Sequence, residues 1–287
     1  MQITQAKNLA CPLDGTVLEF KDKQLVCANG HSFDIARQSH VNLLPVQFKK
    51  SKNPGDSKAM ITARSEFLRR GYFSNIAQQL VEISHTHLED RPDICLLDAG
   101  CGEGYFLNTI AQHFEKLDTA GKASFIGLDI SKYAIVAASK RTNHITWIVG
   151  TNKHFPVLPK SLDVIYSHFG FPIYDEFSKA LKTGGKIILT EAGPEHLIEL
   201  RNVIYPQLKT HGSKSKTSTE CVNLLETYSL TYKITDVPQL DIHNLLVMTP
   251  HLYRASKEGK EAAARLDQID LTIDVTISVL DIKTSFS

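Results

Sequence analysis

Hydrophobic positions follow two different periods along the chain. Between residues 94 and 208, short apolar runs alternate with stretches in which apolar residues recur every three or four positions. The runs predict strands at 94–98, 124–129, 145–149, 163–167 and 187–191, and the stretches predict helices at 104–116, 131–140, 174–181 and 194–208. This alternation is typical of an α/β fold with a doubly wound, mostly parallel sheet.

Two later segments are predicted to close the sheet as strands, at 243–248 and 271–281. The second alternates strictly between apolar and polar residues from Leu271 to Val279. A period of two indicates an antiparallel strand with one face toward solvent. Upstream of the α/β region, one helix is predicted to begin near Ser57 and another to cover 74–85.

The first 48 residues differ from the rest, because they are turn-rich and hold only short strand-like pieces at 17–20 and 25–27. A module this small needs a staple or a neighbouring domain to be stable. We therefore predict three parts: a small module at 1–48, a basic helical linker at 49–90 and an α/β domain at 91–287.

Composition narrows the class of protein. The chain has 287 residues, 42% of them hydrophobic, and a net charge of +1, which is ordinary for a globular protein and leaves any basic surface local. No apolar run reaches the roughly 18 residues of a membrane helix. The N-terminus lacks a signal-peptide core, and the five cysteines are scattered. We expect a cytoplasmic protein with reduced thiols and no membrane partner.

A glycine-rich turn follows the first strand of the α/β region. Its residues are Asp98, Gly100, Gly102, Glu103 and Gly104, and Asp129 ends the next strand. Glycine permits close ligand approach, and an acid at the second strand end accepts hydrogen bonds from ribose hydroxyls. The spacing differs from the dinucleotide pattern G-x-G-x-x-G. Acids in the turn favour a cationic ligand, so the pattern predicts S-adenosylmethionine, as in motif I of class I methyltransferases.

The segments after the third and fourth strands contain candidate ligand contacts. In class I methyltransferases the turn after the third strand meets the adenine, so Asn152 is a candidate for bonding the adenine edge, with an ordinary surface turn as the alternative. Phe169 and Phe171 could stack a base, unless both aromatics belong to the core. The fourth-strand segment lacks the Asp/Asn-Pro-Pro-aromatic motif of amino-methylating enzymes. It also lacks the cysteine that attacks pyrimidine carbon-5. The acceptor is therefore expected to attack directly, as a ring nitrogen, an oxygen or a small-molecule amine.

The N-terminal module contains a candidate metal site. Cys11, Cys27 and His31 have a spacing close to that of a small zinc ribbon. Three positions after Cys11, where a second cysteine is usual, stands Asp14. Aspartate also ligates zinc, although two cysteines, one aspartate and one histidine make a weaker site. The alternative is a module without metal that is held by its apolar contacts.

Basic residues concentrate between 49 and 70, where they face only two acids. They are Lys49, Lys50, Lys52, Lys58, Arg64, Arg69 and Arg70. A second basic segment of low hydrophobicity, predicted as a loop, covers 209–219. Both suit contacts with nucleic-acid phosphates, which weaken as salt rises. A solvated surface is the alternative.

Several sequence runs together resemble one family, the RlmA-type 23S rRNA (guanine-N1)-methyltransferases. The resemblance covers nearly the whole chain. The runs are Cys27–Arg37, Val41–Gln47, Pro54–Ser57, Leu97–Tyr105, Gly193–Leu197 and Met248–Ala255.

The resemblance implies a class I methyltransferase with a Rossmann-like sheet and a zinc-ribbon-like module that recognises an RNA hairpin. It also implies a homodimer whose subunits form a basic cleft. The RNA contacts that we predict from the basic stretch and the aromatic residues are Lys49, Lys50, Lys52, Arg64, Arg69, Arg70, Phe169 and Phe171. Carried onto this chain, the cofactor contacts fall on Gly102, Glu103 and His196, and a family tyrosine aligns with Phe73, next to Tyr72. The metal ligands fall on Cys11, Cys27 and His31, with Asp14 in place of cysteine.

Two other functions fit the same sequence: a small-molecule methyltransferase of this fold, and a non-catalytic RNA-binding homologue. If guanine N1 is the acceptor, its proton must leave before the lone pair can attack. The sequence leaves the base open among Asp175, Glu176, Glu191 and a relayed water.

Overall fold

The computed structural model describes residues 6–49, 51–88, 91, 93–117, 123–207 and 221–283. Near the N-terminus, three short strands form an antiparallel sheet: β1 (Leu18–Lys21), β2 (Gln24–Cys27) and β3 (Ser32–Asp34). The two strand-like pieces expected at 17–20 and 25–27 are thus confirmed. Lys50 and the predicted basic loop at 209–219 lie outside the described residues.

Eight strands form the main sheet. They are β4 (His40–Asn42), β5 (Ile94–Ala99), β6 (Ala123–Asp129), β7 (Thr146–Val149), β8 (Leu162–His168), β9 (Leu181–Ala192), β10 (Val222–Pro238) and β11 (Gln268–Ile282). Their order is β10-β11-β9-β8-β5-β6-β7-β4. The strands from β9 to β4 are parallel, and β11 lies antiparallel to both β9 and β10. The predicted α/β class and antiparallel last strand are confirmed.

The described residues form nine α-helices and one short 3-10 turn, Val46–Phe48. The helices are α1 (Lys58–Arg69), α2 (Ser74–Leu88), α3 (Tyr105–Lys116), α4 (Lys132–Ala138), α5 (Tyr174–Ala180), α6 (Ile198–Ile204), α7 (Gln239–Met248), α8 (His251–Arg254) and α9 (Lys257–Ala264). Serine caps begin α1 and α4, where Ser57 and Ser131 accept from backbone N–H groups three residues ahead. None of these described helices has the length and hydropathy to cross a membrane.

The strand predicted at 243–248 is wrong, because this segment lies in α7. A short apolar run fits a buried helix as well as a strand, and here Ile242, Leu245 and Leu246 are buried. The missing strand is β10. Its half-buried residues Tyr228, Leu230, Tyr232 and Ile234 alternate with exposed polar ones and could have revealed it.

The helix predicted at 194–208 is shorter than expected. It begins at Ile198, because Leu197 adopts a left-handed φ of 56° and the preceding residues form a turn. Arg201 of the helix stabilises this turn by donating to the carbonyls of Pro194 and His196, at 2.6 and 3.3 Å. The turn keeps His196 at the end of β9 and outside the helix.

The N-terminal module shares a core with the main sheet. Its last strand, β4, pairs with β7, and Ala10 N donates to the Pro156 carbonyl at 2.9 Å. The described connection between β7 and β8 contains no helix that would cover the sheet there. Leu9, Leu18 and Leu25 of the N-terminal module cover this face of the sheet instead. Docking therefore supplies the apolar burial that so short a module lacks.

Candidate functional site

The glycine turn after β5 is tightly constrained. Gly100, Gly102 and Gly104 have φ values of 95°, 56° and 82°, in the left-handed region that favours glycine. The N–H groups of Gly100 and Cys101 both donate to the Leu128 carbonyl, at 2.8 and 3.0 Å. These bonds tie the turn to the end of β6, so that the backbone of the turn borders Asp129.

Asp129 is fixed by backbone donors on both sides. Its Oδ2 accepts from Gly102 N at 2.9 Å, and its Oδ1 accepts from Ser131 N at 2.7 Å. Each carboxylate oxygen keeps a second lone pair, so both remain able to accept from ribose hydroxyls. The Asn152 amide nitrogen lies 3.9 Å from where a Cβ on Gly100 would stand. The structure therefore brings both predicted residues to the glycine turn.

Asp98 is almost fully buried beneath the turn. Among the described residues, its Oδ1 has no hydrogen-bond partner. Burial, with a smaller contribution from the charge of Asp129, raises the pKa of Asp98 to about 8. A buried carboxyl without a partner is costly, and a bound cation removes that cost. The site thus fits the ammonium group of S-adenosylmethionine.

Glu103 contacts Arg141 through its carboxylate. Arg141 Nε and Nη2 both reach Glu103 Oε2, and Nε also donates to the Glu103 carbonyl at 2.9 Å. Burial raises the pKa of Glu103, while the Arg141 charge opposes this shift. Oε1 is buried and has no partner within the described part of the chain. A side-chain contact with the cofactor would therefore have to use Oε1, and no local sequence signal had pointed to Arg141.

Aromatic rings line the site beyond β8. Phe73, Phe169 and His196 form what we call the aromatic wall, with 5.8 to 6.2 Å between their ring centroids. Phe169 adopts a left-handed φ of 53° and is half exposed, and Phe171 is 89% exposed. Phe171 therefore lies on the surface rather than in the core. Phe73 is buried and has no hydroxyl for the hydrogen bond of the family tyrosine. Tyr72 does not replace it, because its hydroxyl donates to Asp241 at 2.9 Å.

His196 is a neutral donor at physiological pH. Burial lowers its pKa to about 4, and its Nδ1 accepts from Asp274 N at 3.3 Å. The proton of the neutral ring is therefore assigned to Nε2. His168, which the sequence reasoning missed, is also neutral, since burial lowers its pKa to about 3. Its Nδ1 lies 2.9 Å from Thr190 Oγ1, and its ring packs on Phe106, behind the aromatic wall.

The four predicted metal ligands converge in the N-terminal module. The ligand atoms of Cys11, Asp14, Cys27 and His31 all lie within 4.8 Å of one another. His31 Nδ1 is 3.5 and 3.4 Å from the two sulfurs and 3.0 Å from Asp14 Oδ2, and Cys27 Sγ is 3.5 Å from Asp14 Oδ2. Tetrahedral zinc at about 2.0–2.3 Å from each donor keeps them roughly 3.3–3.8 Å apart. The residues present therefore fit zinc.

Comparisons with known proteins decide the family. The family model for the N-terminal zinc ribbon of RlmA matches residues 9–52, and a methyltransferase domain model matches residues 96–185. A Bacillus subtilis protein named "Putative 23S rRNA (guanine-N(1)-)-methyltransferase YxjB" is 30% identical over 276 residues, which cover 94% of this chain and 95% of that protein. The chain belongs to the RlmA-type 23S rRNA (guanine-N1)-methyltransferase family.

More distant relatives carry related names. The 23S rRNA (guanine(748)-N(1))-methyltransferase of Streptomyces fradiae is 27% identical over 201 residues, covering 70% of this chain and 69% of that protein. Among solved structures, the YcgJ protein of Bacillus subtilis matches with a TM-score of 0.45 and 17% identity, covering 72% of this chain and 99% of that one. The predicted family, class I fold and S-adenosylmethionine cofactor are confirmed. This member of the RlmA-type family is an S-adenosylmethionine-dependent methyltransferase.

The basic residues near α1 fall into two groups. Arg69 pairs with Glu66 and Arg70 with Asp241, and both arginines are exposed. Exposed ion pairs are weak, so Arg69 can exchange its carboxylate for a phosphate. Lys49 and Lys52 form the second group, which precedes α1. Their RNA contacts stay predictions.

Arg64, also predicted as an RNA contact, lies in a different environment from Arg69 and Arg70. Its side chain is only 24% exposed, is ion-paired with Asp56 and lies beside Gly102 of the glycine turn. Most of its side chain therefore faces the interior, next to the glycine turn, and its RNA contact stays a prediction.

Replacing Asp14 by cysteine is expected to tighten zinc binding at least about tenfold, because thiolate is a softer ligand than carboxylate. Asp14→Ala is expected to weaken binding by a similar factor. Competition with a chromophoric chelator measures both. Glu19→Gln is the control, because it removes an exposed charge from β1 and leaves the donors intact. Equal affinities for the native chain and Asp14→Ala would show that Asp14 is not a ligand.

Proposed function

We propose that this protein transfers a methyl group from S-adenosylmethionine to N1 of a guanine in a hairpin of 23S rRNA. The observation that carries the proposal is the pair of aromatic residues at the end of β8. Phe171 is 89% exposed and Phe169 is 41% exposed, and both follow β8, the neighbour of β5 in the sheet. Large exposed rings are costly in water and suit stacking on an unpaired base. Both relatives are named as 23S rRNA (guanine-N1)-methyltransferases, which supports guanine N1 as the acceptor and 23S rRNA as the substrate.

The bound cofactor supplies an electrophilic methyl group on a sulfonium centre. The chain holds this donor through the turn at Gly102, the carboxylates of Asp98 and Asp129, and the Nε2–H of His196. Phe169 orients the guanine ring against the aromatic wall, so that N1 faces the donor. Alignment of this kind supplies several kcal/mol of a transfer barrier.

The guanine N1 proton must be accepted during the transfer. Glu176 is engaged elsewhere, because its Oε1 accepts from Phe155 N at 3.2 Å and its Oε2 pairs with Lys179. Asp175 and Glu191 are exposed near the β8 and β9 ends. Asp175, Glu191 and a relayed water therefore remain the candidates for the base that accepts the N1 proton.

RNA recognition in this proposal uses the N-terminal module and the basic residues Lys49, Lys50, Lys52, Arg69 and Arg70, with the homodimer that the family resemblance implies. The docked module supports this assignment, because β4 and the Phe48–His154 ring stack, at 4.6 Å, join it to the loop that carries Asn152. In this proposal a hairpin held by the module also contacts the aromatic wall.

Incubation of unmodified 23S rRNA with the protein and S-adenosylmethionine tests the proposal. Methylation at guanine N1 blocks Watson–Crick pairing, so reverse transcription is expected to stop beside one hairpin-loop guanine. Mass mapping of the fragment should show a single added methyl group. The Asp98→Asn variant serves as the inactive control. A methyl group on another atom, or methylation of small molecules without rRNA, would contradict the proposal. Failure to bind S-adenosylmethionine would favour a non-catalytic RNA-binding protein.

A further inference from the structure

The side chain of Arg64 lies over the glycine turn instead of on the outer surface of α1. Its Nη1 is 3.3 Å from the position that a Cβ on Gly102 would occupy. Its Nη2 pairs with Asp56 Oδ2 at 2.7 Å and donates to the Met248 carbonyl at 3.1 Å. Two segments far apart in the sequence therefore hold one guanidinium in place against the cofactor turn.

The acidic side chains around the glycine turn provide no partner for the α-carboxylate of S-adenosylmethionine. Asp98, Glu103 and Asp129 are acids, which suit the ammonium group, the sulfonium and the ribose hydroxyls. S-adenosylmethionine also carries an α-carboxylate, which needs a cationic donor. Arg141 is bound to Glu103. Burial raises the pKa of both Glu103 and Asp129, and the positive charge of Arg64 opposes both shifts, as expected for a guanidinium close to these acids.

The hydrogen bonds of Arg64 to described residues leave part of its guanidinium available. Within the described residues, its polar contacts are made through Nη2, while Nη1 faces Gly102. Arginine presents its N–H groups in a planar fork that matches a carboxylate. Asp56 and the Met248 carbonyl hold Nη2 in place, and Nη1 is left facing the glycine turn.

We propose that Arg64 binds the α-carboxylate of S-adenosylmethionine, and that Asp56 and the Met248 carbonyl are its positioning groups. This assignment replaces the predicted RNA contact of Arg64. It concerns the methyl donor alone and holds whichever acceptor the enzyme uses.

Calorimetric titration with two ligands tests the assignment. The ligands are S-adenosylmethionine and its decarboxylated analogue, which keeps the ammonium and sulfonium groups and lacks only the carboxylate. The native protein is expected to prefer S-adenosylmethionine by about tenfold or more, since a charge-assisted hydrogen bond is lost with the analogue. Arg64→Gln is expected to reduce this preference to within about threefold, mainly by weakening S-adenosylmethionine binding.

Two further variants separate this role from a structural one. Arg64→Lys keeps the charge without the fork, so an intermediate preference is expected. Lys58→Gln removes an exposed charge from the same helix and should leave the preference unchanged. Equal losses for both ligands in Arg64→Gln would overturn the assignment, because the arginine would then only support the turn. Equal binding of both ligands by the native protein would also overturn it, even if Arg64→Gln failed to fold. RNA takes no part in these titrations, so they are independent of the guanine target.

Discussion

Replacing Asp98 by asparagine is expected to abolish methyl transfer while stabilising the unliganded protein. The native carboxyl is fully buried, and its Oδ1 has no partner among the described residues. Asparagine has nearly the same shape and carries no charge. The substitution therefore removes the desolvation cost together with the group that would bind the cofactor's ammonium.

The stability gain is expected to depend on pH. Asp98 has a pKa of about 8 in the folded protein, against 3.8 for an exposed aspartate. Between these values the unfolded chain has released the proton that the folded chain retains, so native stability falls as pH rises from about 4 to 8. At about 1.4 kcal/mol per pH unit, the difference from the variant should reach a few kcal/mol near pH 8 and vanish near pH 4.

Urea unfolding of both proteins across this pH range measures the effect. Asp93→Asn is a matched control, since Asp93 is exposed just before β5 and its φ of 51° is tolerated by asparagine. S-adenosylhomocysteine should raise the melting temperature of the native protein and leave that of Asp98→Asn nearly unchanged. A variant that bound the cofactor normally, or lost stability at pH 8, would show that Asp98 is structural.

The features that could be predicted from sequence are those with local signals. The turn from Asp98 to Gly104 carries its glycines and acids within seven positions, and its strand and helix follow from hydrophobic period. At 243–248 the hydrophobic pattern predicted a strand where the structure has α7. A short apolar run has the same pattern in a buried helix and in a buried strand. The strand β10, by contrast, does carry a local signal, because apolar and polar residues alternate from Tyr228 to Ile234.

Long-range partners explain the remaining differences. Arg64 looked like one of several basic residues, because its neighbours Asp56 and Met248 come from separate segments that only folding brings together. Glu103 was expected at the ligand, and its pairing with Arg141 depends on the packing of α4 beside the turn. Asp14 could be identified, since the other three ligand positions fixed its place in the module. The contacts of residues with distant partners therefore could not be predicted from the sequence, whereas the grouping of residues within one motif could.

Replacing Gly104 by alanine is expected to destabilise the protein strongly and to remove cofactor binding. Two costs add at this position. The φ of 82° penalises any Cβ by roughly 1–2 kcal/mol. The added Cβ would also overlap the ring of Trp147, which is fully buried and whose indole N–H donates to the Thr142 carbonyl at 3.0 Å. Overpacking of this kind costs about 1–3 kcal/mol more.

Gly184→Ala separates the two costs. Gly184 has a φ of 75°, and nothing lies within 4 Å of a Cβ placed there. This control should lose only the backbone contribution in urea unfolding. Because Trp147 is the obstacle, Trp147→Phe should relieve part of the overlap, and the double variant should lose less stability than the sum of the single ones, by about 0.5–3 kcal/mol. Strict additivity, or equal losses for Gly104→Ala and Gly184→Ala, would mean that the turn moves away from Trp147. The tight packing beneath the glycine turn would then not be what fixes the cofactor site.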